Sequence, residues 1–270
     1  MSESTRLPPR VLSIAGSDSG GGAGIQADLK AFARCGVHGM TAITAVTAQN
    51  TVAVTGVYPL PAEAIVEQVR AVSEDIGVDA VKIGMLGSSE TIEAVVAALD
   101  LIGDVPVVLD PVMIAESGAR LLEEDAEAAL RERLVARVTI VTPNLPEGRA
   151  LAQVTSDVGE GERLVRAIHD LGPEAVVLTG GHRESAGDLF FDGHQLVEIG
   201  GERHPGGASH GSGCTHSSAL AAQLALGLEP LEAARRAHQI AAEAVRAGLR
   251  GLGGGAGPVD VIGLTPSPVR

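Results

Sequence analysis

The chain alternates short apolar runs with longer amphipathic stretches along most of its length. The short runs are rich in β-branched and apolar residues, as strands buried on both faces are; they cover residues 11–16, 40–48, 78–84, 105–110, 138–143 and 175–180. The longer stretches place apolar residues three and four positions apart, which is typical of helices that pack one face on a sheet; they cover residues 23–36, 61–76, 89–102, 124–137 and 161–172. This alternation predicts an α/β fold with a doubly wound, mostly parallel sheet flanked by helices.

The pattern changes after residue 181. The sequence LFFDGHQLVEI has two short apolar runs on either side of Asp192 and Gly193, which predicts an antiparallel hairpin at the edge of the sheet. From Ser212 to about Leu249 the chain is rich in Ala and Leu, and a break at residues 227–230 predicts two helices. We therefore expect a single domain over residues 1–270, with residues 1–9 and the Gly-rich residues 251–270 as tails.

Composition narrows the class of partner. With 20 Lys and Arg against 34 Asp and Glu, the net charge of −14 disfavours nucleic acid, and so does the scarcity of aromatic residues for base stacking. No apolar run is long enough to span a membrane or to form a signal peptide, so we expect a cytoplasmic protein without membrane contact. The two cysteines, Cys35 and Cys214, lack metal-ligand spacing and are expected to be free thiols. A small molecule is the expected partner.

Polar or Gly-rich segments follow several predicted strands directly, at the edge where ligands bind in open α/β sheets. These segments are residues 16–24, Gln49 and Asn50, and residues 84–88, 110–118 and 142–147; residues 207–218 instead precede a long helix.

The first segment, GSDSGGGAG, resembles a phosphate cradle, because clustered glycines let backbone amides approach an oxyanion closely. It contains neither a P-loop nor the strict spacing of the dinucleotide fingerprint. A flexible turn into the following helix is the alternative.

In the segment HGSGCT, small residues come directly before a predicted helix, whose first amides have no intrahelical partner. This arrangement predicts an anion site. Cys214 falls in the first helical turn, where the helix dipole is expected to lower the thiol pKa and favour a thiolate. The alternative for Cys214 is a small buried hydrophobic residue. His210 and His216 flank the segment and are candidate contacts to a phosphate.

Two carboxylates follow neighbouring strands. Asp110 ends one strand, and Glu147 lies one turn after Asn144 at a predicted helix start, where it can also serve as a plain cap. Together they can hold Mg²⁺ through water beside phosphates.

The order of seven segments across residues 11–218 resembles one family, the hydroxymethylpyrimidine and phosphomethylpyrimidine kinases of thiamine biosynthesis, which have the ribokinase-like fold. The segments are GSDSGGGAGIQADLK, TAVTAQNT, VKIGMLGS, DPVM, TPNLPE, TGGH and HGSGCT. The resemblance implies ATP-dependent phosphorylation of 4-amino-5-hydroxymethyl-2-methylpyrimidine and of its monophosphate, with Mg²⁺, in a homodimer. The related pyridoxal kinases are the alternative.

The resemblance also implies roles for single residues. The Gly-rich loop becomes part of the pyrimidine pocket, with Gly16 and Asp28 in contact with substrate, which replaces the phosphate interpretation of that loop. Gln49 would bind the aminopyrimidine edge. The remaining implied roles are pocket lining by Thr47, Met85 and Val112, ATP or Mg²⁺ contacts by Asp110, Glu147, Thr179 and His210, an anion hole at Gly211, Ser212 and Gly213, and a catalytic base at Cys214.

Several positions depart from the family pattern. Thr179 and Glu116 stand where Lys is usual in the family, and Ala53 and Ser212 replace a common Gly and Thr. Because Thr lacks the charge of Lys, we expect weaker ATP binding unless His182 or Arg183 compensates. A catalytically weakened pyrimidine-binding sensor is the further alternative.

Overall fold

The computed structural model of the chain describes residues 7–154, 160–180, 187–201, 204 and 208–264. The described strands form one nine-stranded sheet in the order β3-β2-β1-β4-β5-β6-β7-β8-β9. The strands are β1 (Arg10–Asp18), β2 (His38–Gln49), β3 (Val54–Pro59), β4 (Ala80–Ile83), β5 (Val107–Leu109), β6 (Ile140–Val141), β7 (Ala175–Leu178), β8 (Asp188–Phe191) and β9 (Leu196–Ile199).

Helices cover both faces of this sheet. They are α1 (Gly24–Cys35), α2 (Ala62–Asp75), α3 (Ser89–Leu99), α4 (Ala126–Ala129, extended by a π-turn and a 3₁₀ turn to Arg137), α5 (Leu145–Ala152), α6 (Glu160–His169), α7 (Ser212–Ala225) and α8 (Pro230–Ala247). Alternate strand residues point to opposite faces. On β1, Leu12 packs in the core under α2, α3 and α6, whereas Val11 packs in the core under α1, α7 and α8. The predicted doubly wound α/β fold is therefore confirmed.

The six predicted inner strands pair in parallel, and β8 and β9 form the predicted antiparallel hairpin. The sequence analysis missed β3, which pairs antiparallel with β2 at the other edge. This strand contains Gly56 and Pro59 and is largely exposed, so no buried apolar run marks it. Within the described residues, no helix is both long and apolar enough to cross a membrane.

The predicted C-terminal tail needs a correction. Val259 and Val261 are buried, Pro258 forms a bridge with His210, and the amide of Asp260 donates to Ala244 O at 3.0 Å. The alternating valines of GPVDV form an extended segment that packs against α1 and α8, so residues 258–261 belong to the fold.

Candidate active site

A cavity of about 560 Å³ lies beyond the carboxyl ends of the parallel strands, within the size range of small-molecule sites. All but one of the predicted site residues line it. Those that do are Gly16, Thr47, Gln49, Met85, Asp110, Val112, Glu147, Thr179, His210, Gly211, Ser212, Gly213 and Cys214. Residues that are distant in sequence thus meet in one place because consecutive parallel strands end at the same edge.

Asp18, at the end of β1, organises the Gly-rich loop. Its carboxylate accepts hydrogen bonds from the amides of Gly20 (2.8 Å), Gly22 (3.0 Å) and Ala23 (2.8 Å). These amides already have an acidic partner inside the protein. The interpretation of the loop as a phosphate cradle is therefore wrong, and a place in the substrate pocket agrees with the geometry.

His210 also contacts Asp18, with 3.0 Å between Nε2 and Oδ2. Burial alone would raise the pKa of Asp18, but His210 and the loop amides hold that pKa below its ordinary value. The contact joins the start of α7 to the Gly-rich loop. A contact between His210 and ATP stays a prediction.

The opposite wall of the loop is formed by β2. The hydroxyl of Thr47 donates to Ser17 O at 2.8 Å and to Gln49 Oε1 at 3.1 Å, so it orients the carboxamide of Gln49. Gly16 makes room for Met85, because a Cβ at position 16 would lie 3.0 Å from Sδ of Met85. This wall offers a carboxamide beside apolar surface, which suits a polar heteroaromatic ring.

The sequence predicts an anion site at the N-terminus of α7. Its N-cap, Gly211, has a φ of 84°, and a Cβ there would collide with the carbonyl oxygen of Gly22, so only glycine fits. No side chain of the described residues caps this helix. The amide of Ser212 donates to Ser209 O at 2.9 Å, whereas those of Gly213 and Cys214 have no partner within the helix. These two amides are the donors that the predicted anion hole would use.

Cys214 differs from the expectation in its protonation. Burial raises the pKa of its thiol to about 12, Asp28 and Asp110 act in the same direction, and Lys82 opposes them. The expected lowering of the thiol pKa is wrong for the free protein, because desolvation outweighs the helix dipole. Cys35 lies outside the cavity, and burial raises its pKa as well.

Asp28 is the predicted site residue that does not line the cavity. It is completely buried and forms an ion pair with Lys82 of β4, with its two oxygens 2.9 and 3.1 Å from Nζ. Ser13 and Ser218 donate to the same carboxylate at 2.6 and 2.7 Å. A direct substrate contact for Asp28 is therefore corrected: the carboxylate holds Lys82, which lines the cavity.

Asp110 and Glu147 lie close enough to influence each other. Burial raises the pKa of Glu147 to about 8 with a further contribution from Asp110, and burial also raises the pKa of Asp110. Glu147 forms a capping box with Asn144, with hydrogen bonds of 2.9 Å in both directions, and Ser217 donates to Asp110 at 2.9 Å. Two neighbouring carboxylates that are both buried suit a divalent cation. No group of three metal-ligating side chains occurs among the described residues.

Thr179 lines another part of the cavity, beside a cluster absent from the predictions. The amide of the next residue, Gly180, donates to Oδ1 of Asp188 at 2.9 Å. Oδ2 of Asp188 lies 3.0 Å from Nε2 of His216 and 2.8 Å from Nδ1 of His238. His182 and Arg183, the expected replacements for a Lys at position 179, lie outside the described residues.

The sequence reasoning left Asp18, Lys82, Asp188 and His238 without a role. Lys82 carried a visible signal, since it is one of only two lysines and interrupts the apolar run VDAVKIG. Asp188 and His238 carried none, because their partnership depends on packing between β8 and α8. Glu116, another departure from the family pattern, lines the cavity and accepts a hydrogen bond from Ser209 at 2.7 Å.

Comparisons with known proteins agree with this geometry. The family profile described as phosphomethylpyrimidine kinase matches residues 18–260. A hydroxymethylpyrimidine/phosphomethylpyrimidine kinase of Rhizobium meliloti is 49% identical over 256 residues, which cover 92% of this chain and 95% of the relative.

Two solved structures are similar over most of their length. A phosphomethylpyrimidine kinase of Clostridium difficile has a TM-score of 0.78 and 40% identity, covering 88% of this chain and 99% of the other. The pyridoxal kinase of Staphylococcus aureus in complex with AMP-PCP and pyridoxal has a TM-score of 0.84 and 32% identity, covering 96% and 95%. Given the extent of these matches, the chain belongs to the phosphomethylpyrimidine kinase family, with the ribokinase-like fold.

Proposed function

We propose that this protein transfers the γ-phosphoryl group of ATP to the hydroxymethyl group of 4-amino-5-hydroxymethyl-2-methylpyrimidine, and then to the resulting monophosphate. The observation that carries the proposal is the single cavity that joins the Gln49 pocket to the uncapped N-terminus of α7 at Cys214. We call the part lined by Gly16, Thr47, Gln49 and Met85 the pyrimidine end. The part lined by Thr179, Gly180, Asp188 and His238 is the nucleotide end.

The pyrimidine end supplies recognition. The carboxamide of Gln49 can accept from an exocyclic amine and donate to a ring nitrogen, and Thr47 fixes its orientation. Met85 and Val112 supply apolar surface for the ring. The hydroxymethyl group of the bound pyrimidine would then point toward Cys214.

The transfer requires little covalent chemistry from the protein. The substrate hydroxyl oxygen bonds to the γ-phosphorus, the bond from that phosphorus to the bridging oxygen breaks, and ADP leaves. Charge on the transferring oxygens is stabilised by the amides of Gly213 and Cys214 at the positive end of α7. Positioning and these amides supply most of the rate.

Cys214 would accept the hydroxyl proton as a thiolate. Because burial raises the thiol pKa to about 12, this thiolate is a strong base but a minor species at neutral pH. Lys82 and the α7 N-terminus are the groups that favour it.

Asp110 and Glu147 are the residues that would hold Mg²⁺. Their raised pKa values show two buried carboxylates whose charges lack sufficient compensation within the protein, which fits a divalent cation. When bound, Mg²⁺ would neutralise charge on the ATP phosphates.

Pyridoxal phosphorylation is the second candidate, favoured by the structural similarity to a pyridoxal kinase. The test incubates the protein with ATP and Mg²⁺ and either the pyrimidine alcohol, its monophosphate or pyridoxal, and identifies the products by mass spectrometry. We expect the pyrimidine monophosphate and diphosphate to form at least tenfold faster than pyridoxal phosphate. Faster formation of pyridoxal phosphate would assign the protein to the second candidate, and binding without any product would assign it to a sensor.

We also propose a homodimer formed through β2 and β3. Val46 and Tyr58 are paired across these strands and are 46% and 64% exposed; Val57, on the opposite face of β3, is 40% exposed. An exposed apolar patch on an edge strand suits pairing with a second copy. Light scattering should give twice the mass of the chain for the wild type and a smaller mass for Tyr58→Asp; a monomeric wild type would contradict the proposal.

A further inference from the structure

Asp188 connects three separate elements at the nucleotide end. Its Oδ1 accepts from the amide of Gly180, which follows β7, at 2.9 Å. Its Oδ2 lies 3.0 Å from Nε2 of His216 on α7 and 2.8 Å from Nδ1 of His238 on α8. The side chain is about 5% exposed, and all four residues line the cavity. One buried carboxylate therefore fixes the relative positions of three walls.

The contacts also place charge behind the cavity surface. Burial alone would raise the pKa of Asp188, but the two histidines hold it well below its ordinary range. In return, the hydrogen bond that His238 donates to Asp188 raises the pKa of His238. Both ring nitrogens of His216 and Nε2 of His238 are buried without a hydrogen-bond partner among the described residues, so the imidazoles act through the wall that they support.

Two other basic groups of the cavity are engaged elsewhere. The ammonium of Lys82 is paired with Asp28, and His210 contacts Asp18 through Nε2. No arginine lies among the described residues that line the cavity. The remaining described basic side chains that line the cavity are His204 and the two imidazoles beside Asp188.

We propose that Asp188 is a positioning residue for a nucleoside polyphosphate: it fixes the backbone at Gly180 and holds His216 and His238 behind the same wall. The inference rests on the proposed function, because it takes the nucleotide to occupy this end of the cavity. A substrate bound beside Gln49 touches none of these groups. Loss of the Asp188 carboxylate should therefore weaken nucleotide binding and leave pyrimidine binding unchanged.

The test measures ADP and pyrimidine binding by titration calorimetry, without turnover, in wild type and Asp188→Asn. The asparagine keeps an oxygen for the Gly180 amide but loses the charge that holds the imidazoles. We expect the Kd for ADP to rise about tenfold, as for the loss of a hydrogen bond to a charged group, and the Kd for the pyrimidine to change less than twofold. Asp192→Asn, in the exposed turn of the same hairpin, is the matched control and should change neither.

His238→Gln is the second variant and keeps the test decisive if Asp188→Asn does not fold. It removes the contact between His238 and Asp188 and leaves the contacts of Asp188 with His216 and Gly180. We therefore expect a smaller loss of ADP affinity than in Asp188→Asn. The double variant should bind ADP no more weakly than Asp188→Asn alone, because both changes act through one contact.

Unchanged ADP affinity in a folded Asp188→Asn or His238→Gln protein would overturn the inference, and so would equal weakening of both ligands. A wild type that binds ADP yet phosphorylates no pyrimidine would contradict the proposed function alone. A wild type that fails to bind ADP would overturn both.

Discussion

Two buried polar clusters support different parts of the cavity, and they differ in how fully their groups are hydrogen-bonded or ion-paired. Beside Cys214 and Asp110, Lys82 and Asp28 form an ion pair with no exposed surface, and two serine hydroxyls donate hydrogen bonds to the Asp28 carboxylate. Behind the nucleotide end, Asp188 shares one oxygen between two imidazoles, and His238 Nε2 is buried without a hydrogen-bond partner in the described chain.

This difference in pairing predicts that the two clusters support their walls differently. A fully paired cluster holds its wall rigidly whether or not a ligand is present. The cluster at Asp188 contains buried imidazole nitrogens without hydrogen-bond partners among the described residues, so its wall is less completely fixed. We expect substitutions in the first cluster to affect folding, and substitutions in the second to affect nucleotide binding.

The largest expected effect lies where the two ends meet. Cys214→Ala should lower kcat by about 10²- to 10⁴-fold, the contribution of a general base, while pyrimidine and ATP binding change little. Steady-state kinetics and calorimetry measure the two quantities. Cys35→Ala, which changes a thiol outside the cavity, is the matched control, and a Cys214→Ala protein with wild-type kcat would remove the base assignment.

The next effect is on folding. Lys82→Met leaves the carboxylate of Asp28 buried and unpaired, and should lower the free energy of unfolding by about 3–5 kcal/mol in urea titrations. Adding Asp28→Asn should recover much of that loss. Arg70→Met, which breaks the exposed pair with Glu74, should cost less than about 1 kcal/mol. Equal stability of Lys82→Met and wild type would contradict the supporting role of the ion pair.

A smaller effect tests recognition at the pyrimidine end. Gln49→Leu should raise the KM for the pyrimidine about tenfold, because a hydrogen-bonded carboxamide is lost, and should leave the KM for ATP within twofold. The exposed Gln195→Leu is the control for the same substitution on the hairpin. If the KM values for the pyrimidine and for ATP rise equally, Gln49 is not specific to pyrimidine recognition.

The smallest expected effect tests whether the nucleotide end lacks a cation at position 179. Thr179→Lys adds a cation to the wall beside Gly180 and should lower the KM for ATP about threefold, with kcat unchanged or raised. Thr55→Lys on the exposed strand β3 controls for added charge. Unaltered ATP kinetics in Thr179→Lys, combined with impaired kinetics in Arg183→Ala, would show that Arg183 already supplies the charge.

The two ends were not equally predictable from the sequence. The pyrimidine end is built from residues at or just after the ends of apolar strand runs, such as Gln49 at the end of β2 and Met85 two residues after β4, so strand order alone brings them together. The nucleotide end joins Asp188 of the hairpin to His216 of α7 and His238 of α8, and neither periodicity nor a motif marks their contact.

Two predictions, the substrate contact of Asp28 and the lowered thiol pKa of Cys214, were wrong because both side chains are buried. Asp28 lies in a motif next to the pocket, but its position on the inner face of α1 turns it toward Lys82. The position of Cys214 at a helix N-terminus suggests a lowered thiol pKa, yet desolvation reverses the direction. Both outcomes depend on solvent exclusion by elements distant in sequence, which local pattern does not report.

The most direct test of the account is a crystal structure of the wild type with the pyrimidine alcohol and a non-hydrolysable ATP analogue. The account predicts the ring against Gln49, the nucleotide between Thr179 and α8, and the hydroxymethyl oxygen within about 3.5 Å of Sγ of Cys214, near the limit for a hydrogen bond. The terminal phosphate should lie on the amides of Gly213 and Cys214. A phosphate bound at the Gly-rich loop, or a hydroxymethyl group directed away from Cys214, would contradict it.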